Sequence, residues 1–141
     1  MKALKITVEG TVEQVDFPYV HVAELQRVVG GMLEERRIDD DIWAYIDEES
    51  KLKGLPLNVL ATALCHTKQC PWLASDEFIG GTMLCIGSPD SEGNETDVPF
   101  NLEYNLSVLA RRVADQSFGK YEYSFDGFIR LSLQSNKTVV R

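Results

Sequence analysis

At 141 residues and 15.9 kDa, the chain is long enough for one domain with its own core and short for two. Its 44% hydrophobic and 26% charged residues exclude a wholly disordered chain, and no apolar run approaches the ~20 residues that cross a bilayer. A net charge of −8 disfavours nonspecific binding to DNA or to an anionic membrane and permits docking on a basic protein surface.

The N-terminus, Met1-Lys2-Ala3-Leu4-Lys5-Ile6, alternates apolar and polar residues and lacks the continuous apolar centre of a signal peptide, so a cytoplasmic protein is expected. Alternation continues to Val8 and returns from Val12 to Phe17, with Gly10 between, which predicts a β-hairpin. Pro18 can open a helix in its first turn. Val22, Leu25, Val28, Val29 and Met32 then fall on one helical stripe, and Gly30-Gly31 can close it in a left-handed cap. Glu34-Glu35-Arg36-Arg37 and Asp39-Asp40-Asp41 read as a charged loop.

Ile42 to Asp47 reads as a strand with Ile42, Ala44 and Ile46 on one face and Trp43 and Tyr45 on the other; apolar on both sides, it belongs near the centre of a sheet. Glu48-Glu49-Ser50 and Lys53-Gly54-Leu55-Pro56 are turns. Asn58 can cap a short helix carrying Val59, Leu60, Ala63 and Leu64, and Thr82 to Ile86 is a short strand. Gly87 to Pro99 is polar and reads as an exposed loop or linker. Leu102, Leu106, Leu109 and Val113 form a second helical stripe. Lys120–Phe125 and Phe128–Leu133 alternate around Asp126-Gly127, a hairpin signal, and Thr138–Val140 can add an edge strand.

This order predicts an α+β fold with a mainly antiparallel sheet, one main helix and a C-terminal helix-hairpin unit. The opening hairpin-helix-strand order is compatible with a β-grasp-like core. The expected organisation is an α+β core over 1–87, an acidic loop or linker over 88–100, and a helix plus hairpin over 101–141 packed on the core. Hairpin edges at both ends leave pairing with a second copy open.

From Gln69 to Ala110 there is no Lys or Arg, yet there are seven acids, whereas Asn105 to Arg141 carries a positive balance. The molecule is therefore expected to be electrically polarised. Asp90, Glu92, Glu95 and Asp97 lie in the expected exposed loop and are the candidate partner contacts. A second arrangement would take a nucleotide. Arg36 and Arg37 can fork onto phosphate and Trp43 and Tyr45 can stack on a base, provided these four residues meet in space. Otherwise Trp43 and Tyr45 pack under the Leu/Val stripe of the C-terminal helix. Mimicry of DNA is weaker still, because the duplex carries one charge per ~1.7 Å and the charge here is sparse.

The three cysteines, Cys65, Cys70 and Cys85, are an odd number, which argues against a disulfide framework. With His66 they could supply four metal ligands, but His66 adjoins Cys65 and no second Cys or His pair exists, so no structural metal is expected. His21 and His66 are the only histidines, and a Cys-His dyad at Cys65-His66 would need facing side chains. No Walker loop, dinucleotide fingerprint or His-Glu-x-x-His helix is present. The expectation is a non-enzymatic protein without a cofactor.

Val28-Val29-Gly30-Gly31, Tyr45-Ile46-Asp47-Glu48-Glu49, Lys51-Leu52-Lys53-Gly54-Leu55-Pro56-Leu57-Asn58 with Ala61-Thr62, and Ile79-Gly80-Gly81-Thr82 resemble a family of uncharacterised small domains found in phages, conjugative elements and their bacterial hosts. The resemblance runs from the opening strand to about Gly87. Ser50 stands where glycine is expected, Cys65 to Ser75 resembles an insertion, and the tail after Pro99 is not covered. The family implies no established activity. It implies a setting, the accessory genes of mobile elements, where small proteins often disable host defences. The leading expectation is thus a phage or mobile-element protein that inhibits or redirects a host factor by occupying a surface. Sequestration of a nucleotide signal is the alternative.

Overall fold

The alternating opening segment forms β1 (Lys2–Ile6) and β2 (Val12–Asp16), which pair antiparallel with Leu4 opposite Gln14. In the computed structural model, which describes residues 1–114, the expected sheet is completed by β3 (Leu33–Arg37), β4 (Ile42–Asp47) and β5 (Met83–Gly87) in the order β2-β1-β5-β4-β3. Every neighbouring pair is antiparallel. The central pair β1–β5 is antiparallel too, a pairing that distinguishes this sheet from a β-grasp.

Helix α1 (Val22–Val29) covers one face. Its first residue is Val22, after the exposed N-cap His21 and four residues later than Pro18 would start it, and it buries only Leu25 and Val29 of its stripe. Gly30 closes it in the left-handed region at φ 96°, where a side chain would be strained. The opposite face carries α3 (Val59–Thr67) and α4 (Leu102–Ala114), which pack on each other. All four residues of the expected α4 stripe, Leu102, Leu106, Leu109 and Val113, are buried there. A one-turn helix, α2 (Ser50–Lys53), occupies the stretch expected as turns.

The strands supply both cores by simple alternation. Leu4, Ile6, Ile42, Ala44, Ile46, Met83 and Cys85 point toward α3 and α4. Ala3, Tyr45, Leu84 and Ile86 join Phe17, Leu25 and Val29 on the α1 side. The expected central position of β4 is observed, between β5 and β3. Two expectations are corrected. Glu34 to Arg37 is not a loop but the edge strand β3, whose residues pair with Trp43 to Ile46; an edge tolerates charge because one side of it stays in water. Trp43 and Tyr45 do not pack under the α4 stripe, because their parity places them on the α1 face. The expected Lys120–Leu133 hairpin and the Thr138–Val140 strand lie outside the described residues.

One side chain joins the layers. Asn58 is fully buried and caps α3, its Oδ1 accepting from the Ala61 N–H at 3.0 Å. Its Nδ2 donates to the Ile6 carbonyl at 2.9 Å and to the Gly81 carbonyl at 2.8 Å. Its own N–H reaches the Ile79 carbonyl, and Thr62 Oγ1 donates to its carbonyl while accepting from the Ile79 N–H. Asp47, 1% exposed, provides a second polar tie, with its Oδ2 2.7 Å from the Lys53 ammonium. Burial opposes its charge, but Lys53 and the Glu49 N–H hold its pKa below the ordinary value.

Asn58→Ala removes a cap and orphans two buried carbonyls and one N–H, so urea unfolding should show a loss of about 3–5 kcal/mol. Asn58→Asp keeps the cap acceptor but turns a carboxylate on the same two carbonyls. It should destabilise at least as much, whereas a cap role alone would make it neutral.

Candidate functional site: an acidic ridge at one end of the sheet

The polar stretch after β5 is a built structure rather than a slack linker. The Gly87 N–H donates to the Thr96 carbonyl at 3.0 Å, Thr96 Oγ1 donates to the Ser88 carbonyl at 2.6 Å, and the Val98 N–H donates to the Lys2 carbonyl at 2.9 Å. The Ser88 N–H reaches the Asp41 carbonyl at 3.2 Å. A Cβ on Gly87 would collide with the Asp97 carbonyl, so the glycine is what lets the returning segment lie against β5. Both ends of the ridge are therefore tied to the sheet, one through β1 and one through the β3–β4 turn.

The four acids expected as partner contacts are all exposed here, and three of them also help build the ridge. Asp90 folds the turn, its carboxylate accepting from the N–H groups of Glu92 and Asn94 at 2.9 Å each. Asp97 Oδ1 accepts from the Lys2 N–H at 2.8 Å. Glu95 receives the Tyr45 hydroxyl at 3.5 Å. Glu92 stands in solvent. The register adds an acid that the sequence reading did not place here: Ile42 pairs with Gly87, which brings the exposed Asp41 beside the base of the ridge. None of Asp41, Asp90, Glu92, Glu95 and Asp97 has an ion pair to a described residue.

Burial raises the Tyr45 phenol pKa well above its ordinary value, and the carboxylates of Glu35 and Glu95 push it further. The hydroxyl therefore stays protonated and donates, so β4 helps hold the ridge. The backbone N–H groups of Asn94 and Glu92 lower the Asp90 pKa below the usual carboxylate value, which keeps this acid ionised.

The four residues of the nucleotide arrangement are split. Trp43 and Tyr45 face α1, and Arg37 lies opposite Trp43 on that side, ion-paired to Asp40. Arg36 lies opposite Ala44 on the other face, paired with Glu34 and stacked on Trp72. Strand parity alone separates neighbouring arginines in this way. No local signal links Arg36 to Trp72, which is distant in sequence.

Cys65, Cys70 and Cys85 are all buried with free thiols. The Cys70 thiol beside it and burial raise the Cys65 pKa, and burial alone pushes Cys85 up to about 12. Cys70 Sγ contacts the Ile38 carbonyl at 3.5 Å, and His66 Nε2 lies 3.0 Å from the Glu77 carbonyl. Among the described residues, no group of three His, Cys, Asp or Glu side chains is arranged to hold a metal ion. No helix among them is long and apolar enough to cross a membrane.

Residues 1–107 match the family described as a domain of unknown function (DUF3846), and the chain belongs to that family. The match runs past the expected limit near Gly87, so the ridge and the first turns of α4 are part of the family domain. No curated protein and no solved structure matches the chain.

Because the N–H groups bond the ionised form of Asp90, their stabilisation of the turn is complete above the ordinary carboxylate pKa and is lost as pH falls through the lower folded value. An NMR titration should place the Asp90 midpoint below that of an unstructured aspartate, with exchange protection of the Glu92 and Asn94 amides fading over the same range. A midpoint at or above the ordinary value would mean that the turn is not held by this carboxylate.

Proposed function

We propose that the protein is a non-enzymatic binding module that docks its acidic ridge on a basic surface of another protein. In the mobile-element setting that the family resemblance implies, that partner is a host factor, a defence component, which the docking inhibits or redirects. The observation that supports this reading is the pre-organised ridge. Five exposed carboxylates sit on a segment tied to two parts of the sheet, with no ion pair to a described residue.

Two physical consequences make such a ridge suited to recognition. Uncompensated like charge on one side of a protein raises the encounter rate with an opposite surface and rejects acidic competitors. A loop already held by hydrogen bonds loses little conformational freedom on docking, so less of the interaction energy is spent on ordering.

Asp41→Asn, Glu92→Gln and Glu95→Gln combined remove ridge charge without touching the turn-forming Asp90 or the Asp97 tie. Immobilised wild type and triple variant are compared for protein captured from bacterial lysate over a salt series. The partner retained by wild type should associate at least about tenfold more slowly with the variant, and the variant's association should depend less on salt. Equal capture with an equal salt dependence would reject the ridge as the interface.

A further inference from the structure

On the face of the sheet that carries α3, a cleft of about 230 Å³ opens between β3, the end of β4, α2 and the Trp72–Gly80 segment. It is smaller than the pockets that enclose drug-sized ligands. Its floor is apolar, formed by the buried Ile46, Leu73 and Ile79.

The polar groups around that floor are unevenly matched. Arg36 is held in place, with its guanidinium carbon 5.6 Å from the Trp72 ring centre and Nη2 paired with Glu34. The indole is itself fixed by a 2.7 Å hydrogen bond from Nε1 to the Arg37 carbonyl. Yet Arg36 Nε is the one buried side-chain polar atom among the described residues without a hydrogen-bond partner. A buried donor left unmatched is costly, and native structures rarely keep one without a reason. Glu48 lines the same cleft, is exposed and has no ion pair to a described residue. Lys51, by contrast, is already engaged by Glu77 at 2.5 Å.

These charges select a ligand class. Arg36 is paired with Glu34, Lys51 with Glu77 and Lys53 with Asp47, so the acid in excess is Glu48, and its charge disfavours a bare anion such as phosphate. A bare amine would leave the Arg36 N–H unmatched. A small molecule bearing both charges meets neither penalty. We infer that the cleft binds a small zwitterion of the α-amino acid class. Its carboxylate accepts from Nε and one Nη of Arg36 in a side-on fork, its ammonium pairs with Glu48, and an aliphatic side chain rests on Ile46, Leu73 and Ile79. Nε is buried in the free protein, so binding requires the Arg36 side chain, 41% accessible as a whole, to turn on the Trp72 face and present that edge. This site is distinct from the acidic ridge and does not depend on it.

Thermal unfolding of the full chain tests the assignment, using free leucine, valine and methionine with leucinamide, N-acetylleucine and inorganic phosphate as comparators. At least one free amino acid should raise Tm by about 3–5 °C in a dose-dependent way, while the amide, the acetylated form and phosphate do not. Arg36→Lys keeps the charge but lacks Nε, and Glu48→Gln removes an exposed carboxylate. Each should weaken binding at least about tenfold. Glu48→Gln carries the test should the first variant fold poorly. The assignment is overturned by no shift with any free amino acid, by equal shifts with the blocked derivatives or phosphate, or by undiminished binding to Glu48→Gln.

Discussion

Three segments distant in sequence meet on the carboxamide of Asn58, and the architecture depends on that meeting. A helix resting on a sheet is normally held by apolar contact alone, which fixes distance better than register. Here one buried amide fills the cap of α3 and pins β1 and the approach to β5 through two carbonyls. Thr62 repeats the tie one turn along. Buried hydrogen bonds of this kind add only modest net stability when made, but are costly to lose, so they specify one packing against its near neighbours. The cleft and the ridge inherit their geometry from that specification. The Ile79–Gly80 wall of the cleft and the start of β5 are both set by the contacts of Asn58 with residues 79–81.

The sheet then keeps two surfaces apart. At one end, the segment after β5 folds back on β1 and presents carboxylates that make no ion pair with a described residue. Toward the other end, β3 and α2 frame a cleft in which cations and acids are interleaved. The two differ in what they can recognise. The ridge acts through a field that reaches a Debye length into solvent, whereas the cleft acts through contact at a single guanidinium and a single carboxylate.

Much of the scaffold was legible in the residues. The opening hairpin, the two-sided strand β4, the Asn58 cap and the α4 stripe all follow from local periodicity and capping chemistry, and each stands where expected. Strand β3 was hidden because Glu34-Glu35-Arg36-Arg37 carries no apolar alternation; its strand character comes from pairing with β4, not from its own preferences. The alternation in β4 showed two apolar faces but could not say which helix covers which, since that is decided by chain path. The acidic loop was visible as composition. Its stiffness was not, because the Lys2–Asp97 and Tyr45–Glu95 bonds join residues far apart in sequence. The Arg36–Trp72 stack escaped for the same reason, and strand parity dissolved the arginine pair that the sequence placed together.

If Asn58 welds the helical layer to the sheet, the two open together. Native-state hydrogen exchange reads this directly through the Ala61 and Thr62 amides in α3, the Asn58 amide on Ile79, and the amides that pair β1 with β5. All should exchange with one common free energy, that of global unfolding. Exchange of the α3 amides through an opening at least about 2 kcal/mol cheaper, with β1 and β5 still protected, would show two separable layers and contradict the account.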